Sequence, residues 1–204
     1  NCQFIINADP AIVDVYMTDM SDVLINANLI AFNSVNKVKA PVQNLSLSTA
    51  IPAGTTKIRI DLGSKLQLNP GYNLGTAPLS AYFTWTKVVE AGNDVIYGDQ
   101  IADLPPNFGG AGNEIAVFDV KAVLPGTSIV NADFQVTNHN NATLFLTDAN
   151  TNNNHAEIQY TVLSDFLIVG VGSTNLDCNG VSTGTITVTV SGGSSPYDFS
   201  KDNG

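Results

Sequence analysis

Short runs of alternating apolar and polar residues, each closed by a Gly, Pro, Asn or Asp turn, recur along this chain and leave room for little but β structure. The clearest is Lys57-Ile-Arg-Ile-Asp-Leu62. A period of two puts Ile58, Ile60 and Leu62 on one face and Lys57, Arg59 and Asp61 on the other, as in a half-buried strand. Residues 81–89, 114–120, 128–136 and 156–162 carry similar β-branched and aromatic runs. Shorter candidates lie at 4–6, 11–17, 28–32, 45–48 and 95–97. Turns are expected at Asp9-Pro10, Pro52-Ala-Gly54, Asn69-Pro-Gly71, Ala91-Gly-Asn-Asp94 and Pro125-Gly126, and a long loop at 98–113. Composition agrees. Exposed helices draw on Glu, Lys and Arg, and this chain of 204 residues has three Glu and one Arg. The expectation is all-β: an antiparallel sandwich or barrel, with one sandwich over residues 11–168 preferred to two smaller ones meeting near 86–98.

Eight Lys and Arg stand against 18 Asp and Glu, for a net charge of −10. A duplex binder needs cations to neutralise phosphates, so nucleic acid is excluded as a partner. An anionic membrane surface is disfavoured for the same reason. No apolar run reaches the roughly 18 residues of a spanning helix, so no membrane insertion is expected. The start at Asn1-Cys2, without a signal peptide, reads as a fragment or a processed product. Cys2 and Cys178 have no metal spacing. Two thiols, or a disulfide in an oxidising compartment, are both open.

No local pattern carries catalysis, and no enzyme activity is expected. Asp148, Asn150 and Asn152 place oxygen ligands at alternate positions, as calcium loops do. The preferred reading there is an Asx-rich turn bonded to its own backbone, so no cofactor is expected, with calcium as the candidate. Asp94, Asp99 and Asp103 form a second acidic loop, read as solvated surface. His139 and His155 lie in Asn-rich stretches and are read as exposed turn residues. Tyr82 and Trp85 are a candidate sugar-stacking pair. On an alternating strand, however, Phe83 and Trp85 share one face and Tyr82 takes the other, and a core Trp is preferred. Asn44-Leu-Ser46 and Asn141-Ala-Thr143 fit the eukaryotic glycan sequon.

The sharpest signal is C-terminal. Cys178-Asn-Gly180, Gly184-Thr-Ile-Thr-Val-Thr-Val-Ser-Gly-Gly193, Pro196-Tyr197 and Asn203-Gly204 follow one another in order. Residues 175–204 resemble the first half of the SprB-type repeat, a module of large surface adhesins in gliding and marine Bacteroidetes. Residues 1–10, with Cys2 and the Asp9-Pro10 exit, resemble the end of such a repeat. Phe118–Val123, Val130–Asn138 and Thr147–Asn154 before Ala156–Val162 are similar to immunoglobulin-like repeats of bacterial surface proteins. The resemblance implies an immunoglobulin-like β-sandwich flanked by partial β modules: the tail of a preceding repeat at 1–10, the sandwich at 11–168 and the head of a repeat at 169–204. It implies cysteine partners for Cys2 and Cys178 outside this chain. It also implies a structural or adhesive segment of a repetitive adhesin on the bacterial cell surface, in attachment or gliding, with neighbouring repeats and surface glycans as partners. Strand addition from a neighbouring chain would complete the partial modules. The alternative is a carbohydrate-binding or accessory module of a secreted enzyme.

Overall fold

Residues 4–110, 114–137, 144–165, 167–175 and 183–191 are described by the structure, a computed structural model. In chain order the strands are β1 (Phe4–Ala8), β2 (Pro10–Ala11), β3 (Tyr16–Thr18), β4 (Leu29–Ala31), β5 (Val35–Pro41), β6 (Gln43–Asn44), β7 (Thr56–Asp61), β8 (Leu66–Leu68), β9 (Phe83–Glu90), β10 (Asn93–Gln100), β11 (Ile115–Ala122), β12 (Gly126–Val136), β13 (Leu144–Asp148), β14 (His155–Leu163), β15 (Leu167–Thr174) and β16 (Thr185–Ser191). Among the described residues the only helical segments are single 3-10 turns at Asn26–Asn28, Leu74–Thr76 and Thr151–Asn153.

The chain is all-β, as its alternation requires. A six-stranded sheet, ordered β4-β14-β12-β7-β10-β9, faces a four-stranded sheet, ordered β3-β5-β11-β8. Inward residues of both sheets form one apolar core: Ile58, Ile60, Ile96, Phe83, Trp85, Val130 and Phe134 from the first, Met17, Val38, Phe118 and Val120 from the second. Trp85 bridges the layers, its ring meeting Phe118 edge-on at 5.0 Å. Each such side chain contributes roughly 1.5–3 kcal/mol by leaving water, so this seam carries the fold.

Local chemistry sets the corners. β9 and β10 form a hairpin joined through Ala91 and Gly92, both at positive φ (50° and 88°), the two-residue turn that matches strand twist. At Asn69-Pro-Gly71, Gly71 takes φ 92° and the Tyr72 amide donates to the Asn69 carbonyl at 2.9 Å, as Pro-Gly turns do. Gly98 lies opposite Trp85 in the hairpin. A Cβ there would come within 2.4 Å of the indole ring, so the missing side chain is the space the tryptophan occupies.

Several strands depart from expectation. Residues 98–100 extend β10 rather than opening a loop, because Gln100 is buried and bonded to the Ile51 and Ala102 carbonyls and to Thr56. Residues 45–48 are not strand. The buried Asn44 amide donates to the Thr49 and Pro105 carbonyls, its oxygen accepts from the Ser46 amide, and the loop folds around it. β5 and β13 depart from the expected strands: β5 turns the polar Asn36 inward, which blurs the apolar period.

Two strand pairs, β1 with β13 and β4 with β14, are parallel in an otherwise antiparallel fold; long crossovers permit this at sheet margins. The described part of the segment expected as the tail of a preceding repeat (1–10) pairs through β1 with β13 and through β2 with β6, and Ala8 joins the core. β16 pairs with β15. Both segments expected to await a strand from elsewhere therefore have partners in their own chain.

Candidate functional site

The Asp148–Asn154 segment folds as a chain of Asx turns. Asp148 Oδ1 accepts from the Asn150 amide at 2.8 Å, and Asn150 Oδ1 from the Asn152 amide at 3.3 Å. Asn154 donates to Asp148 Oδ2, and Asn153 donates to Asp9 at 2.9 Å, tying the turn to the N-terminal segment. The oxygens of Asp148 and Asn150 are thus engaged by the protein's own donors. Among the described residues no group of three or more His, Cys, Asp or Glu side chains could hold a metal ion.

The structure separates Tyr82 from Trp85. Trp85 is 5% exposed, and its indole N–H donates to the Pro78 carbonyl at 3.0 Å. Phe83 is fully buried beside it. Tyr82, in the turn just ahead of β9, is half-buried against the core, its ring edge-on to Phe108 at 4.8 Å. With Trp85 buried in the core, the two rings form no common exposed platform.

The second acidic loop is likewise dispersed. Asp94 is buried, accepting from the Leu68 amide and from Lys87. Asp99 pairs with Lys57 at 3.3 Å, and Asp103 accepts from the Ala53 amide at 2.8 Å. His155 is exposed at the start of β14, its Nδ1 2.8 Å from Asp133. Asn44 of the first sequon is fully buried. His139, Asn141, Cys2 and Cys178 lie outside the described residues.

Sequence reasoning missed two surfaces. The first is the outer face of the six-stranded sheet, where register aligns Tyr97, Arg59, Asp133 and His155 in one row across four strands. Arg59, the chain's single arginine, reaches Glu90 at 2.9 Å and Asp61 at 3.1 Å. Tyr97 donates to Glu90 at 2.6 Å, and Lys57 sits 4.1 Å over the Tyr97 ring. The Tyr97 and then the Arg59 hydrogen bonds hold the Glu90 carboxyl below its ordinary range. Such exposed pairs are screened by water and stabilise little. They order a polar face rather than anchor the fold. The alternation at 57–61 signalled the face; the partners depend on register.

The second surface is a groove of about 530 Å3 beside β3, lined by Asp14, Tyr16, Thr18, Asp22, Leu24 and Lys39. No motif marks it, since its residues come from β3 and the segment before it, from β5 and from the returning loop between β3 and β4.

The terminal ribbon carries the Thr/Ile/Val alternation of β16 against β15. Residues 171–204 match the family model of the SprB repeat. The match begins at Val171, ahead of residue 175 where the resemblance begins, and so takes in half of β15. No curated protein sequence matches the chain. Among solved structures, a CARDB domain from Pyrococcus furiosus is 16% identical, with 76% of this chain and 95% of that chain covered and a TM-score of 0.39. The C-terminal domain of the Streptococcus pyogenes antigen I/II-family protein AspA is 12% identical, with 76% and 46% covered and a TM-score of 0.34. A protein described as catalysing macrocyclization in alchivemycin A biosynthesis is 9% identical, with 72% and 87% covered and a TM-score of 0.32. Likenesses this distant say nothing of what the chain binds or does.

Proposed function

We propose that this chain is a non-catalytic structural and adhesive segment of a repetitive bacterial cell-surface protein, serving surface attachment or gliding. In this reading a β-sandwich running from β1 to β14 is joined to a SprB repeat that begins at Val171. The single observation that carries it is the SprB match over 171–204. The sandwich supplies a rigid body, and its polar outer face, ordered by Arg59, Glu90, Tyr97 and Asp133, keeps it soluble between neighbouring repeats. Neighbouring repeats of the same protein are the expected partners. The carbohydrate-module alternative loses its aromatic platform with Trp85 in the core.

The test is made on intact cells of the source organism, with antibody raised against this chain. Surface labelling, removed by brief external protease, is expected. Labelling only after permeabilisation would overturn the assignment. In-frame deletion of the segment is expected to reduce attachment to solid surfaces while cell growth is unchanged.

A further inference from the structure

The six-stranded sheet ends on β9, and among the described residues no strand pairs with its outer side. The sandwich's other sheet margins, β3, β4 and β8, are three residues each, and the returning chain covers β3 through the bridge of Leu24 to Thr18. β9 runs for eight residues, with no proline and no bulge against β10. Val88 and Val89, side by side near its end, are 42% and 64% exposed. An unpaired edge is a template for another strand, and proteins usually blunt it with charge, proline or shortness. The only lysine on β9 is Lys87.

Hairpin geometry fixes which backbone groups are free. β9 and β10 close through a two-residue turn, so Glu90 and Asn93 exchange both hydrogen bonds and every second residue does the same. The amides and carbonyls of Val88, Thr86 and Thr84 therefore point to β10, and those of Phe83, Trp85, Lys87 and Val89 point outward. The Phe83 amide accordingly donates to the Leu79 carbonyl at 2.9 Å. The Trp85 indole bonds Pro78 at 3.0 Å, so residues 77–82 cover that end. Lys87 and Val89 have no backbone partner on the outer side among the described residues.

We propose that β9 is a dimerisation edge, pairing antiparallel with β9 of a second copy of this chain. The two-fold axis of such a pair stands perpendicular to the sheet, so opposed residues share a face and the residue on the axis meets itself. Centring on Lys87 sets two ammonium groups directly opposite, which is unfavourable. Centring on Thr86 lays the second copy's Val89 against Phe83, whose amide is already bonded to Leu79. Centring on Val89 sets Lys87 against Ala91, in the turn at positive φ. Centring on Val88 meets none of these obstacles. Lys87 of each copy then exchanges backbone hydrogen bonds with Val89 of the other, Val88 packs on Val88, and Thr86 faces the second copy's Glu90. The edge is its own complement in that register, which makes a second copy the occupant. A contact this small is weak and transient. The inference goes beyond the surface-segment reading and does not need it. Association is read on the purified chain and surface placement on cells, so either can fail alone.

The experiment is sedimentation equilibrium of the 204-residue chain over about 0.01–0.5 mM, in about 0.15 M salt to screen its net charge. A reversible monomer–dimer equilibrium is expected, with the Lys87 and Val89 amides exchanging hydrogen more slowly as the dimer fills. Val88→Lys and Val88→Glu, at an exposed site, are each expected to fold and to weaken the dimer about tenfold or more by opposing like charges across the axis. An equimolar mixture of the two is expected to dimerise again. Val89→Pro removes an outward N–H that β10 does not use, a position where edge strands tolerate proline, and is expected to leave a folded monomer. Ile186→Lys, in the ribbon, is expected to change nothing. A monomer throughout the range would overturn the proposal. So would an unchanged dimer in Val88→Lys, a mixture that stays monomeric, or a dimer lost in Ile186→Lys alone.

Discussion

The sandwich and the terminal ribbon use the same strand-forming residues to opposite ends. In the sandwich, alternation is spent on a core: Ile58, Ile60 and Phe134 are at most 1% exposed. In the ribbon, Val171 is 66% and Ile186 73% exposed, and among the described residues β15 and β16 pair only with each other. A two-stranded hairpin is at best marginal alone in water. Period-two patterning therefore specifies a strand; only a second layer specifies a domain. The ribbon is recognisable by its motif and the sandwich by its packing.

The comparison breaks most visibly at the seam. Trp85→Ala is expected to cost about 3–5 kcal/mol in a urea titration; a loss comparable to an exposed site would remove Trp85 from the core. Gly98→Ala comes next, at roughly 1–3 kcal/mol, because the new Cβ must displace the indole and the core is already filled. Pairing it with Trp85→Ala should cancel most of that penalty, and full additivity in the double mutant would refute the contact. Asn44→Ala is expected to cost about 1–3 kcal/mol by stranding loop carbonyls, with faster hydrogen exchange around residues 45–49 and 104–105. Asp22 gives a smaller, pH-dependent effect. Hydrogen bonds from Lys37 and then Lys39 lower its carboxyl from 3.8 to about 2. Its contribution is full above 3.8 and lost as pH falls toward 2, so exchange at residues 19–25 should accelerate in that window, and in Asp22→Asn at neutral pH. Ile186→Ala, in the ribbon, should shift sandwich unfolding by no more than about 0.5 kcal/mol. A larger shift would show that the ribbon supports the sandwich after all.

Much of this architecture was legible wherever burial and side-chain parity coincide. Ile58, Ile60 and Leu62 went inward as read, and parity alone put Phe83 and Trp85 on one face. β5 was missed because Asn36 occupies an inward position, bonded to Ser34. β13 was missed because its end merges with the Asx turns that follow. The turn reading of residues 148–152 agrees with their hydrogen bonds, since Asx turns are local chemistry. The groove was illegible for the opposite reason. Thr18 and Lys39 are 21 positions apart in sequence, and only the pairing of β3 with β5 brings them together.

The pairing of β1 with β13 has a consequence for how the molecule comes into being. Thr147 bonds the Ile6 carbonyl across 141 positions, and Ile30 meets Val162 from a comparably remote part of the chain. The entropy of closing such loops is lost before any contact compensates it, which makes folding slow. The first strand has no partner until nearly the whole sandwich sequence is present. A chain passing end-first through a narrow opening would therefore remain extended during transit and close only on the far side, with its last strands completing what its first strands began.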